Sequence, residues 1–164
     1  MKIFTKKGLI YAALCAIAPF LNSVDSYAQP TSTLTVGTGT TSGYLAPLYS
    51  CYGYSYTQQI YTAAEIIAAN GGVAPSSNTI TKIRFFSNSS STTSTAASNG
   101  WTIYMGSTAT STFASNTSWV PLASMSQVFT GTVTFPAPGN WVELVLATPF
   151  VWDGTSNIVV AVDE

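Results

Sequence analysis

The chain has 164 residues, of which 7% are charged and none is histidine. About 25% charged is usual, so Ser, Thr and Asn must carry the contact with water, and the missing imidazole removes Ser-His and Cys-His nucleophiles and the commonest transition-metal ligand. Beyond residue 28 the only cations are Lys82 and Arg84, against Glu65, Glu143, Asp153, Asp163 and Glu164; two minus five leaves −3, too few cations for a phosphate-reading patch, so no nucleic acid partner is expected.

Lys2, Lys6 and Lys7 precede an apolar run at 8–21, and Ser26, Tyr27 and Ala28 make a small-x-small site. Together they describe a secretory signal peptide cleaved after Ala28. The apolar run is shorter than the ~20 residues of a membrane span, and Leu14 stands before Cys15 where an acylation signal needs a small residue. The expected organisation is a signal peptide at 1–28 and one module at 29–164, secreted or at the cell surface, with no membrane span after signal removal. Cys51 is then the only cysteine, so no internal disulfide forms; with no histidine to activate it, it reads as a small buried apolar residue.

Residues 33–36 alternate polar and apolar and predict a first strand. Six tyrosines follow: Tyr44, Tyr49, Tyr52, Tyr54, Tyr56 and Tyr61. Because Tyr52, Tyr54 and Tyr56 alternate with Gly53 and Ser55, an extended backbone points their rings the same way. Residues 58–62 continue as strand, and 63–70, ending at Gly71 and Gly72, read as a turn of helix or an irregular connection. A strand is expected at 80–86, punctuated by Ile83 and Phe86, followed by a low-complexity exposed loop at 87–100. Strand composition resumes at 101–105. The Ser/Thr stretch 106–118 contains one aromatic, Phe113, expected to plug into the body. Pro121 limits 119–122 to a brief extended piece, residues 126–130 and 132–135 flank Gly131 as two strands or one strand bent by the glycine, and 136–140 is a connector. In the last quarter Val142, Leu144 and Leu146 share one face, as do Ile158, Val160 and Val162. Val145, Val159 and Ala161 are apolar as well, so both terminal strands are expected to be central and buried on both sides, joined by an extended arm at 149–152 and a turn at Asp153 and Gly154. Eight or nine short strands with turn signals every 8 to 12 residues predict an all-β fold, an antiparallel β-sandwich of jelly-roll-like form.

The motifs YTQQIYT at 56–62, IYM at 103–105, FASNTSWVP at 113–121, VFTG at 128–131, WVE at 141–143, PFVWDG at 149–154 and NIVVAVD at 157–163 carry a resemblance. Their succession resembles a module of large secreted or surface proteins of Bacteroidota, which often continue into fibronectin-like repeats, peptidase domains and a C-terminal sorting domain. The resemblance implies a jelly-roll-like adhesion or accessory domain and supplies no catalytic residues. Such modules run on past the position of Glu164, so the chain is expected to be the N-terminal part of a longer protein, with its sheet truncated at the C-terminal end and an edge left without its neighbour.

Glu65 and Glu143 are the only well-separated carboxylate pair for glycosidase chemistry, but Glu143 alternates like an ordinary outward strand residue. Asp153, Asn157 and Asp163 offer hard oxygens that would suit Ca2+, against a plain reading in which Asp153 and Gly154 make a turn and Asn157 bonds its own backbone. The positive candidate is the tyrosine segment, with Tyr49, Tyr52, Tyr54 and Tyr56 as ligand-binding rings. Tyrosine with serine and glycine makes adaptable recognition surfaces, and its competing role is packing between sheets. The expected function is a non-catalytic extracellular binding or adhesion module touching a glycan or surface protein. The alternative is a structural accessory domain of a secreted peptidase or other multidomain enzyme. A calcium site would raise the melting temperature on titration with Ca2+; an unchanged melt removes it.

Overall fold

The computed structural model describes residues 32–37, 47, 54–87 and 100–164. Among these are strands β1 (Tyr56–Tyr61), β2 (Thr79–Ser87), β3 (Trp101–Thr108), β4 (Ser126–Gly131), β5 (Asn140–Val151) and β6 (Asn157–Asp163), with one helix, α1 (Ala63–Ala69), and a 3-10 turn at Leu122–Ser124. Every pairing is antiparallel. One sheet has the order β1-β6-β3-β4 and the other is the ribbon β2-β5.

The pairing is nested. β1 pairs with β6, β2 with β5 and β3 with β4, so the chain is one long hairpin whose middle rung lies in the opposite sheet. Rolling that hairpin brings β6 beside β3 and produces the jelly-roll manner of closing a sandwich. The fold is thus the all-β antiparallel sandwich that the alternation predicts, with no closed barrel.

The two sheets bury one core. Trp101, Ile103 and Met105 of β3 and Ile158, Val160 and Val162 of β6 face Val142, Leu144 and Leu146 of β5 and Phe85 of β2. The Trp101 ring meets Phe85 and Phe135 edge-on, with centroids 6.2 and 5.7 Å away, the arrangement that ring quadrupoles favour. α1 closes one end. Thr62 and Glu65 form a reciprocal capping box at its start, Ile66 is buried, and Asn157 Oδ1 accepts the Ala63 N–H at 2.9 Å.

β6 is buried on both faces, as its composition requires: Val159 and Ala161 on its outer side are as inaccessible as the core residues. Their cover is residues 109–125, which cross the outside of the four-stranded sheet. Asn157 Nδ2 donates to Thr110 O at 3.0 Å, Gln58 holds Val120, and a Cβ on Gly106 would come within 3.0 Å of Met125 Cγ and of Ser124 O. A stretch rich in Ser and Thr therefore serves as a third layer.

Several expectations are corrected. β5 is not a central strand among the described residues: there it pairs only with β2, and Val145 is 59% exposed on its outer side. The arm at 149–152 is largely β5 itself, whose ladder with β2 is interrupted between Val145 and Phe150, where Pro149 has no N–H to give. In β2 it is Phe85 that enters the core, while Phe86 points outward. Residues 33–36 pair with no strand among the described residues; Leu34 and Val36 lie against the core. Residues 63–70 are a proper short helix because of the capping box, β4 ends at Gly131, and six strands stand among the described residues where eight or nine were expected. The loop at 87–100 lies almost wholly outside the described residues.

Replacing Gly106 with Ala drives a methyl group into the backbone of the covering segment. The expected loss is about 1–3 kcal/mol, read as a lower urea midpoint at unchanged slope.

Candidate binding surface

The side chains of β1 divide by parity. Thr57, Gln59 and Tyr61 stand level with Val162, Val160 and Ile158 on the core side, whereas Tyr56 and Gln58 stand level with Asp163 and Ala161 on the outer side. Gln58 is the sole buried polar residue among the described residues, at 8% exposure. Its amide matches the backbone of Val120: Oε1 accepts the Val120 N–H at 2.9 Å and Nε2 donates to the Val120 carbonyl at 2.8 Å. Nε2 also donates to the Tyr56 hydroxyl at 2.7 Å. Both Nε2 hydrogens and one lone pair of Oε1 are in use, as burial demands.

This clamp sets Trp119, the neighbour of Val120, against Tyr56. The rings meet edge-on at 5.5 Å and 81°, and Phe113 also packs edge-on against Trp119 at 6.0 Å and 66°. Trp119 keeps 44% of its surface open, and Tyr54, in the same alternating phase as Tyr56, is 87% exposed. Phe113 anchors on Trp119, not in the central core. The outcome is a shelf in which Tyr56, Trp119 and Phe113 are held by packing and by one polar clamp, with the open ring of Tyr54 two residues before Tyr56. Beside it, Ser55 exchanges both backbone hydrogen bonds with Glu164 at 3.3 and 3.0 Å, and its hydroxyl donates to the Glu164 carboxylate at 3.3 Å.

Of the tyrosines named from sequence, Tyr54 and Tyr56 lie on this shelf; Tyr49 and Tyr52, with Tyr44 and Cys51, fall outside the described residues. Sequence reasoning did not connect Trp119 and Phe113 with them. The signal was the aromatic spacing on either side of a Ser/Thr stretch, but only the fold shows that the stretch crosses β1.

The oxygen donors proposed for Ca2+ are dispersed. Asp163 ends β6 and Asn157 begins it, about 20 Å apart at the rise of a strand. Both functional atoms of Asn157 are in hydrogen bonds. Asp153 Oδ1 accepts the amides of Thr155 at 2.8 Å and Ser156 at 2.7 Å. The Ser156 hydroxyl, then those amides, hold the Asp153 carboxyl down at about 2. Among the described residues no group of three or more acidic or cysteine side chains is placed to hold a metal ion.

Glu65 and Glu143 are both engaged. Glu65 Oε2 accepts the backbone N–H and hydroxyl of Thr62 at 2.8 and 2.7 Å, and these bonds hold its carboxyl below the usual range. Glu143 takes Lys82 Nζ at 2.7 Å and Arg84 Nε at 2.7 Å, which lower it likewise, Lys82 foremost. A general acid at neutral pH needs the opposite shift.

A cleft of about 700 Å3 opens between residues 32–36 and β2, lined also by Met105, Ile158 and Val160. Tyr61 is on its wall, with the phenol pushed above its ordinary value by burial and then by Glu65. Its hydroxyl donates to Gln59 Oε1 at 2.8 Å, while Gln59 Nε2 has no hydrogen-bond partner among the described residues.

Two outcomes test this description. Gln58→Ala strands both polar groups of Val120 and should cost about 1–3 kcal/mol, with amide exchange accelerated at 113–121 and unchanged in β3. For Asp153, whose carboxyl is lowered in the folded state, the stabilisation is present above the ordinary value of 3.8 and fades as pH falls toward 2. The melting difference between wild type and Asp153→Asn should therefore hold steady above about pH 5 and vanish near pH 2.

Comparison of the chain with protein-family models, with curated proteins and with solved structures finds no match.

Proposed function

We propose that the chain is an exported, non-catalytic binding module that contacts a glycan through the shelf of Tyr54, Tyr56 and Trp119. The observation that carries this reading is the combination of exposure and fixation. Tyr54 and Trp119 offer open ring surface, while Tyr56 and the Gln58 clamp hold Trp119 in one place. Rings already fixed lose little conformational freedom when a partner arrives, and a sugar presents an apolar C–H face to a ring and hydroxyls to its polar rim. The Lys-rich start, apolar run and Ala28 site support export.

A glycan array with the wild-type protein, followed by calorimetry on the strongest hit, tests the reading. Tyr54→Ala and Trp119→Ala should each weaken binding about fivefold or more, near 1 kcal/mol, Tyr54→Ala without lowering the melt and Trp119→Ala with a lower melt from the lost ring contacts to Tyr56 and Phe113. An array with no signal above background, or full affinity in both variants, defeats it and favours the structural accessory role. The exported product should have Gln29 as its first residue by intact mass.

A further inference from the structure

The outward face of the β2-β5 ribbon carries chemistry of its own. The register sets Phe86 opposite Trp141, Arg84 opposite Glu143 and Lys82 opposite Val145. Three cross-strand pairs thus stand in a row, about 7 Å from one to the next along the strands. Phe86 is 52% and Trp141 44% exposed. Their centroids are 5.2 Å apart at 64°, so the two rings brace each other while remaining open to solvent.

Next to them lies a concentrated charge. Lys82 and Arg84 are the only cations beyond residue 28, and both are on this face, sharing Glu143. The row carries +1, while every other carboxylate of residues 29–164, from Glu65 to Glu164, lies elsewhere. Glu143 takes one hydrogen from Lys82 and two from Arg84. Among the described residues that leaves two ammonium and three guanidinium hydrogens for a ligand. Guanidinium hydrogens in a planar fork suit a carboxylate.

We infer that this face is a second saccharide site, selective for an acidic polysaccharide. Trp141 and Phe86 stack on a sugar ring, Arg84 and Lys82 pair with its uronate carboxylate, and Glu143 accepts from ring hydroxyls. The occupant is specified by two demands met side by side: a flat apolar surface for the indole and a negative group within one rung of it. A uronic acid unit joins both in one residue, and an extended polymer repeats them along an open ribbon. An acidic peptide supplies the charge without the flat face. The inference shares with the shelf the reading of the chain as a saccharide binder, but it uses none of the shelf's residues.

The test is calorimetry of the protein with oligomers of galacturonate, alginate and hyaluronan, with methyl-esterified oligogalacturonate, and with polyglutamate of matching charge. At least one oligouronate should bind, about tenfold more weakly in high salt than in low salt, as screening of a surface charge demands. Trp141→Ala should abolish that binding, Trp141→Phe should retain part of it, and Arg84→Gln should weaken it tenfold or more; Tyr54→Ala should leave it intact. All these positions are exposed, so unchanged melting curves confirm that the variants are folded. The inference is overturned if none of the oligouronates binds, if Trp141→Ala binds like wild type, or if polyglutamate or the methyl ester binds as tightly as the free acid. Failure of the array at Tyr54 and Trp119 with success here would remove the shelf and leave the ribbon site standing.

Discussion

The bond between the Gln58 amide and the backbone of Val120 is the constraint on which the outer half of the structure depends. A strand as apolar as β6 needs cover on both sides, and the β2-β5 ribbon supplies only one. The other cover is irregular backbone, whose N–H and C=O groups lose water when laid on a sheet and must find partners. Gln58 supplies them from within the sheet, behaving like a short piece of strand made from a side chain. With Val120 tied down, Trp119 and Met125 follow, and Val159 and Ala161 are sealed. The same bond therefore serves burial and recognition.

Much of the fold was legible in the sequence. Strand composition in 80–86 and 101–105 placed two strands, the shared faces of the last quarter gave the right inward residues at Val142, Leu144, Leu146, Ile158, Val160 and Val162, and the turn signals implied a sandwich. What was not legible came from choices that alternation leaves open. Apolar residues on both faces of β5 and β6 looked alike, yet Val159 is covered and Val145 is not, because the covering segment reaches only one of the two sheets. Phe85 and Phe86 are adjacent in sequence, and only the register with Val142 and Trp141 decides which ring goes inside.

The surface chemistry was partly visible. Tyr54 and Tyr56 were identified from their spacing, and the scarcity of cations was plain from composition. That both cations stand on one ribbon beside a pair of open rings needed cross-strand pairing, which joins residues nearly sixty positions apart. Likewise the oxygen donors at the two ends of β6 look like neighbours in a motif, while a strand holds them a full length apart. Glu65 and Glu143, the remaining carboxylates of interest, are occupied by a helix cap and by an ion pair.

The nested pairing has a mechanical side. β1 and β6 are the outermost pair of the rolled hairpin, and they meet at Ser55 and Glu164, which exchange backbone hydrogen bonds. A pull applied between these two residues acts across the end of the ladder, so its bonds carry the load one after another. Such a zipper opens at low force, whereas tension along the strand axes would load all the rungs together. A module tethered through those two points would yield at β1 first and keep the nested pairs β2-β5 and β3-β4 behind it.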